Sequence, residues 1–153
     1  MTTSHELQRF AGRWTGGGKG HYPTVEPFEY VEEVELQPVP GKPLLAYVSR
    51  TRAAGDGRPL HGESGFWRML PGDGVEVVVA HGFGAVEVLE GEVAAGALRL
   101  ATTGVALTTT AKRIEAVSRT YRLDGDVVSY DISMAAVGVP MTHHLSATLR
   151  RAG

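Results

Sequence analysis

The sequence predicts an all-β protein, a ten-stranded antiparallel up-and-down β-barrel with one short N-terminal helix. Twenty glycines among 153 residues indicate many turns and therefore many short strands. Strand-like segments recur along the whole chain between turn signals such as Pro71-Gly72-Asp73-Gly74 and Asp124-Gly125-Asp126. About ten antiparallel strands close best as a barrel, because closure removes the sheet edges. A β-sandwich is the alternative fold.

Alternation of apolar and polar residues marks the clearest strands. Residues 28–36 alternate between apolar side chains and glutamates, as a half-buried strand does. Residues 127–136 alternate likewise and place Met134 on the apolar face, where core packing is its default role. The other predicted strands are a glycine-rich strand from Trp14, residues 44–52, 60–70, 75–81, 85–92, 97–101, 107–112 and 114–123, and the last strand, 143–150.

The N-terminus carries the one convincing helix signal. Thr3 and Glu6 form a plausible capping box, and Gly12 would end the helix. The following strand is predicted to bury Trp14. Its segment 16–20 contains four glycines, which let a chain pass close to a ligand or a neighbouring strand, or only bend the barrel.

Composition excludes several classes of function. The chain has no cysteine, which excludes structural disulfides, thiolate catalysis and cysteine-based zinc sites. Fifteen basic and seventeen acidic residues give a net charge of −2, which argues against a nucleic-acid partner. No run is long enough to span a membrane, and the first residues lack the apolar core of a secretory signal. We therefore expect a cytoplasmic protein without membrane or nucleic-acid partners.

Two adjacent histidines near the end of the chain are the first candidates for a chemical centre. Successive side chains of a strand point to opposite faces, so only one of His143 and His144 can face a given cavity. Simple alternation groups His143 with Leu145 and Leu149 and favours His143 as the inward residue. A neutral imidazole from either residue of this strand could serve as an axial ligand to haem iron.

The remaining histidines give weaker signals. His61 stands two residues before Glu63 on one strand face, a spacing that allows either a metal pair or a structural hydrogen bond. His81 ends an apolar strand, as a polar rim residue does, whereas His5 and His21 are expected at the surface. Nothing in the sequence forms the strand-turn-helix motif of a catalytic serine.

A series of short motifs runs in fixed order from about Leu7 to Arg151. They are Gly12-Arg13-Trp14-Thr15-Gly16-Gly17-Gly18, Gly20-His21-Tyr22-Pro23-Thr24, Phe28-Glu29-Tyr30 with Glu32-Glu33, Gly41-Lys42-Pro43, Leu60-His61-Gly62-Glu63-Ser64-Gly65, Thr110-Ala111-Lys112 and His144-Leu145-Ser146-Ala147. In this order and over nearly the whole chain, they resemble the motifs of the nitrobindin family.

The resemblance implies one nitrobindin-like domain over residues 1–153, a β-barrel that carries haem b. It implies an enzyme, a haem-dependent peroxynitrite isomerase that forms nitrate at ferric haem and can bind nitric oxide at ferrous haem. Its partners would be small molecules, and the protein would be a monomer or a homodimer. The alternative is a carrier or sensor that binds haem, nitric oxide or a small apolar ligand without turnover.

The resemblance also assigns site residues. It implies that His144 of the terminal motif is the proximal iron ligand, against the simple alternation. It places His61, His81 and Met134 around the haem, with glutamine possible at position 81, and assigns Thr24 and Lys112 to haem binding. No residue receives a catalytic role. If His144 faces inward on a regular strand, Arg150 is expected to face inward with it.

Overall fold

The structure is a closed antiparallel barrel in which each strand pairs with its neighbours in sequence and the first strand pairs with the last. It is a computed structural model that describes residues 5–152. Its strands are β1 Gly12–Tyr22, β2 Val25–Pro38, β3 Leu44–Ala53, β4 Pro59–Met69, β5 Gly74–His81, β6 Ala85–Ala94, β7 Ala97–Leu107, β8 Ile114–Asp124, β9 Val127–Ala136 and β10 Val139–Arg151.

The predicted barrel is confirmed, and the sandwich alternative is wrong. One predicted strand is also wrong, because residues 107–112 are not a strand of their own. Strand β7 runs to Leu107, and the chain then turns, with the Ala111 amide donating to the Thr108 carbonyl at 3.2 Å. The three consecutive threonines favour a strand locally, but this hydrogen bond closes a turn instead.

A short 3-10 helix, Glu6–Phe10, covers one end of the barrel. Leu7 and Phe10 are buried there at 0% and 1% exposure and join the core. His5 caps the helix, accepting a hydrogen bond from the Leu7 amide, and its other ring nitrogen donates to the Gly74 carbonyl at 3.2 Å. The expectation of a solvated His5 is therefore wrong, and Thr3 of the predicted capping box lies outside the described residues.

The glycine-rich strand β1 lies close to its neighbours on the inner side. Trp14 is buried, as predicted, and its indole donates to the Phe10 carbonyl at 2.9 Å. A Cβ on Gly16 would collide with the backbone of β10 at Thr148 and Leu149, and one on Gly20 would collide with the Phe28 ring. These glycines therefore allow a close approach to neighbouring groups, which confirms that part of the prediction.

Among residues 5–152, no helix has both the length and the apolar character needed to cross a membrane.

The close approach at Gly16 predicts a loss of stability on adding one methyl group. We expect Gly16→Ala to lower the free energy of unfolding by about 1–3 kcal/mol, because the colliding atoms belong mostly to the backbone and cannot rotate away. Urea unfolding followed by tryptophan fluorescence measures this difference. Gly55→Ala is the matched control, since nothing lies within 4 Å of an added Cβ there. Equal unfolding midpoints for the two variants would contradict the close approach.

Candidate functional site

The end of the barrel opposite the 3-10 helix collects most of the predicted site residues. Because adjacent strands run in opposite directions, the end of β1, the beginning of β4, the end of β5 and the beginning of β10 all lie at this end. These segments carry Tyr22, His61, His81 and His144. We call this region the open end.

A β-bulge in β10 decides which histidine faces inward. His143 pairs with Ser133, whereas Leu145 pairs with Ile132, so β10 advances by two residues while β9 advances by one. His144 is the extra residue of this bulge. Its ring lies 5.3 Å from the ring of Tyr22 and 6.5 Å from that of Phe28, both on the inner side of their strands.

The bulge resolves the conflict between alternation and motif. Leu145 packs against the core, and Leu149 is buried, as alternation requires, yet His144 also faces inward because the bulge breaks the alternation at that point. The expectation that Arg150 would share the face of His144 is wrong. Regular alternation resumes after the bulge, so Arg150 is exposed.

His143 lies on the outer surface. Its Nε2 is 3.1 Å from a carboxylate oxygen of Asp131 and 2.8 Å from the Ser146 hydroxyl, and its Nδ1 is 3.4 Å from the His21 ring. The hydrogen bond from Ser146, together with His143, lowers the pKa of Asp131. This cluster is a solvated network on the outside of the barrel.

The ring of His144 is fixed in one tautomer. Its Nδ1 lies 2.9 Å from the His21 carbonyl oxygen. A carbonyl can only accept, so Nδ1 carries the proton and Nε2 keeps its lone pair. Burial lowers the pKa of His144 below the ordinary histidine value, which favours the neutral ring. His144 can therefore act as a ligand through Nε2.

His61, His81 and Glu63 converge on the inner side of the open end. Nε2 of His61 and Nδ1 of His81 are 3.0 Å apart, and each lies 3.3 Å from Oε2 of Glu63. The ring of Phe83 lies 5.7 Å from that of His61 and 5.3 Å from that of His81. The sequence left a metal pair and a hydrogen bond open for His61 and Glu63, and their separation is compatible with both.

A buried arginine organises the carboxylates beneath these rings. Arg119 is 4% exposed; it donates to Glu63 at 2.7 Å and its Nη2 lies 3.6 Å from Glu87. Tyr47 also donates to Glu63, at 2.5 Å. Burial raises the pKa of Glu63, but Arg119 and the hydrogen bonds outweigh burial and hold this pKa well below its ordinary value.

A second buried carboxyl, Glu32, lies nearby in the barrel. It accepts hydrogen bonds from Ser49 and from Tyr130, the latter at 2.6 Å, and the hydroxyls of Tyr130 and Tyr30 are 2.6 Å apart. Burial raises the pKa of Glu32, and these hydrogen bonds compensate only in part. The barrel interior therefore contains one carboxyl whose pKa is lowered, Glu63, and another whose pKa is raised, Glu32.

The structure brings the six predicted site residues together to different degrees. His61 and His81 are in direct contact, and His144 and the half-buried Met134 belong to neighbouring strands of the same end. Thr24 is exposed in the β1–β2 turn, and Lys112 is exposed in the loop before β8. Among the described residues, no hydrogen bond or ion pair joins Thr24 or Lys112 to the other four.

Sequence reasoning missed three buried charged residues, Glu32, Glu87 and Arg119. Each occupies an inward position of its strand: Glu32 lies between Tyr30 and Val34, and Glu87 between Ala85 and Leu89. Arg119 lies between Val117 and Tyr121. The period of two that identified the strands was therefore also the signal that these charges face inward.

Fold and site define the class of protein as an antiparallel barrel with a polar cluster on the inner side of one end and an inward histidine that offers a free ring nitrogen. Residues 4–151 match the family model of the THAP4-like, heme-binding β-barrel domain. The chain belongs to this family.

Curated relatives share this domain over nearly their full length. Peroxynitrite isomerase 2 of Mycobacterium avium is 47% identical over 149 residues, which cover 95% of this chain and 92% of the relative. The peroxynitrite isomerase of Nocardia farcinica is 46% identical, covering 95% and 88%. The crystal structure of Rv2717c from M. tuberculosis superposes with a TM-score of 0.89 at 41% identity and covers 99% of this chain and 100% of that one.

The raised pKa of Glu32 predicts a pH dependence of stability. The folded-state pKa of Glu32 lies above the ordinary value of 4.5. At pH values between 4.5 and the folded-state pKa, Glu32 binds its proton more tightly in the native state than in the unfolded state. The contribution of Glu32 to stability therefore increases as the pH falls from the folded-state pKa toward 4.5, by up to about 1.4 kcal/mol per pH unit.

Urea unfolding at several pH values tests this prediction with Glu32→Gln. We expect the free energy of unfolding of the wild type to rise relative to that of the variant as the pH falls. Glu33→Gln is the control, because Glu33 is the exposed neighbour on the outer face. A constant difference between wild type and Glu32→Gln across this range would disprove the raised pKa.

Proposed function

We propose that this chain binds haem b through His144 and isomerises peroxynitrite to nitrate at the ferric haem. The observation that carries the proposal is the state of His144, an inward ring whose Nδ1 donates to the His21 carbonyl and whose Nε2 keeps its lone pair. Neutral imidazoles of this kind are common iron ligands. Family membership and the names of the relatives support the same activity.

The residues of the open end fit a haem group. A hydrogen bond from the second ring nitrogen to a backbone carbonyl fixes the orientation of a metal-ligating histidine, and the bond from His144 to His21 has this form. Tyr22 and Phe28 flank the ring with aromatic surface suited to an apolar macrocycle. The exposed Lys112 could pair with a carboxylate of the ligand at the rim.

When bound, ferric haem would supply Lewis acidity toward an anionic oxidant. His144 would hold the iron through its Nε2. In the proposal, His61, His81 and Met134 lie around the bound group, with Thr24 and Lys112 at its exposed edge. The His81 side chain is 5% exposed, so its ring is shielded from bulk water. Isomerisation consumes no net proton, and the proposal requires none of these residues to donate one.

The two neighbouring histidines provide a matched test of the iron ligand. We expect His144→Ala to weaken haem binding by more than about 100-fold. Mutating a residue that only hydrogen-bonds to a metal ligand already lowers the metal affinity by about 10–100-fold. His143→Ala should leave haem binding unchanged, because that ring lies on the outer surface. Haem titration followed by the Soret band measures both variants, and circular dichroism verifies that each remains folded.

A normal Soret band in His144→Ala, or its loss in His143→Ala, would contradict the assignment. Activity needs a separate measurement, the nitrate yield after the haem-loaded protein is mixed with peroxynitrite. Nitrate above the yield of the haem-free protein supports the isomerase. Haem binding without extra nitrate would instead favour the carrier or sensor.

A further inference from the structure

We propose that His61, Glu63 and His81 form a binding site for a divalent first-row transition-metal ion, separate from the iron ligand His144. Three ligand atoms from two neighbouring strands, β4 and β5, converge there, namely Nε2 of His61, Oε2 of Glu63 and Nδ1 of His81. The sequence indicated only the pair formed by His61 and Glu63. The register of the barrel adds His81, because Glu63 pairs directly with His81 across the two strands.

The spacing of the three atoms is that of ligands around one ion. They form a triangle with sides of 3.0, 3.3 and 3.3 Å. Zinc binds histidine nitrogen and carboxylate oxygen at about 2.0–2.1 Å, and the edge of a tetrahedron with such bonds is about 3.3 Å. One ion can therefore reach all three atoms without a large movement of any side chain.

Hydrogen bonds alone explain this arrangement less well. Nε2 of His61 is within hydrogen-bond distance of both Nδ1 of His81, at 3.0 Å, and Oε2 of Glu63, at 3.3 Å. Among the described residues, neither the 3.3 Å contact of His81 Nδ1 with Glu63 nor the 2.8 Å contact of His81 Nε2 with Glu87 is a hydrogen bond. A cation bound by His61, Glu63 and His81 would interact favourably with all three donor atoms at once.

The surrounding residues resemble the outer shell of a metal site. Metal-ligating histidines usually have a carboxylate near their second nitrogen, and Nε2 of His81 lies 2.8 Å from the Glu87 carboxylate. Ligating carboxylates are held by hydrogen bonds, as Glu63 is by Arg119 and Tyr47. With neutral rings, the two carboxylates and one guanidinium carry one surplus negative charge, which favours a cation. Among the described residues, Oε2 of the buried Glu87 accepts no hydrogen bond.

The donor atoms select the class of ion. Two imidazole nitrogens and one carboxylate oxygen suit Zn²⁺ and its first-row neighbours, whereas Mg²⁺ and Ca²⁺ prefer sites built from oxygen alone. The His61 side chain is 35% exposed, compared with 9% for Glu63 and 5% for His81. An ion would therefore enter past His61 from the open end.

Equilibrium dialysis of the protein against Zn²⁺, followed by metal analysis, tests the proposal. The haem content is measured separately from the Soret band. We expect one Zn²⁺ per chain, unaffected by excess Mg²⁺, and a Kd that rises by at least about 10-fold in His61→Ala and in His81→Gln. Bound Co²⁺ should give visible absorption bands that report nitrogen and oxygen ligation and disappear in the same variants.

Two further variants make the outcome decisive. Glu63→Gln should also weaken binding, but it leaves Arg119 without its closest partner and can unfold the barrel, so the histidine variants carry the test. His143→Ala removes the exposed pair formed with His21, which is another place where zinc could bind. The proposal is overturned if no stoichiometric Zn²⁺ binds, or if His143→Ala abolishes binding while His81→Gln retains it.

Discussion

Closure of the barrel imposes one constraint on every side chain, because each residue of a strand faces either the interior or the solvent. The pairing of β9 with β10 relaxes this constraint next to His144. The bulge between His143 and Leu145 inserts one residue, so His144 and Leu145 both face inward while His143 stays outside. Without the bulge, the strand could bury Leu145 and Leu149 or present His144 to the pocket, but not both. The proposed iron ligand thus depends on a local irregularity of the backbone.

The charged groups inside the barrel are a second departure from simple packing. Arg119 lies between two carboxylates, Glu63 and Glu87, in an interior that apolar side chains could fill at lower electrostatic cost. Buried ion pairs add little net stability, but they hold their members in fixed positions, and removing one partner leaves an uncompensated charge. Here the fixed carboxylates lie within 3.3 Å of the rings of His61 and His81. We interpret the cluster as a support that orients these rings on the inner side of the barrel.

Much of the fold could be predicted from sequence, since period-two alternation and glycine-rich turns are local signals. The limits of β9 were predicted to the residue, whereas the threonines after Leu107 suggested a strand where tertiary contacts impose a turn.

The site was harder to predict. Alternation alone favoured His143, because a bulge leaves no local trace in the sequence. His61 and His81 are 20 residues apart and meet only through the pairing of β4 with β5. The family resemblance supplied His144, but it did not indicate the partners that surround each ring.

Those partners distinguish the histidines chemically, because the use of one ring nitrogen determines what the other can do. On the outer surface, both nitrogens of His143 lie near other polar groups, Asp131 and Ser146 on one side and His21 on the other. His144 donates through Nδ1 to a backbone carbonyl, which leaves an uncharged lone pair directed away from that bond. His81 instead has a carboxylate near each nitrogen, an environment suited to a metal ion. The barrel therefore offers two kinds of ligand at one end: a neutral nitrogen suited to haem iron and an anionic cluster suited to a free divalent cation.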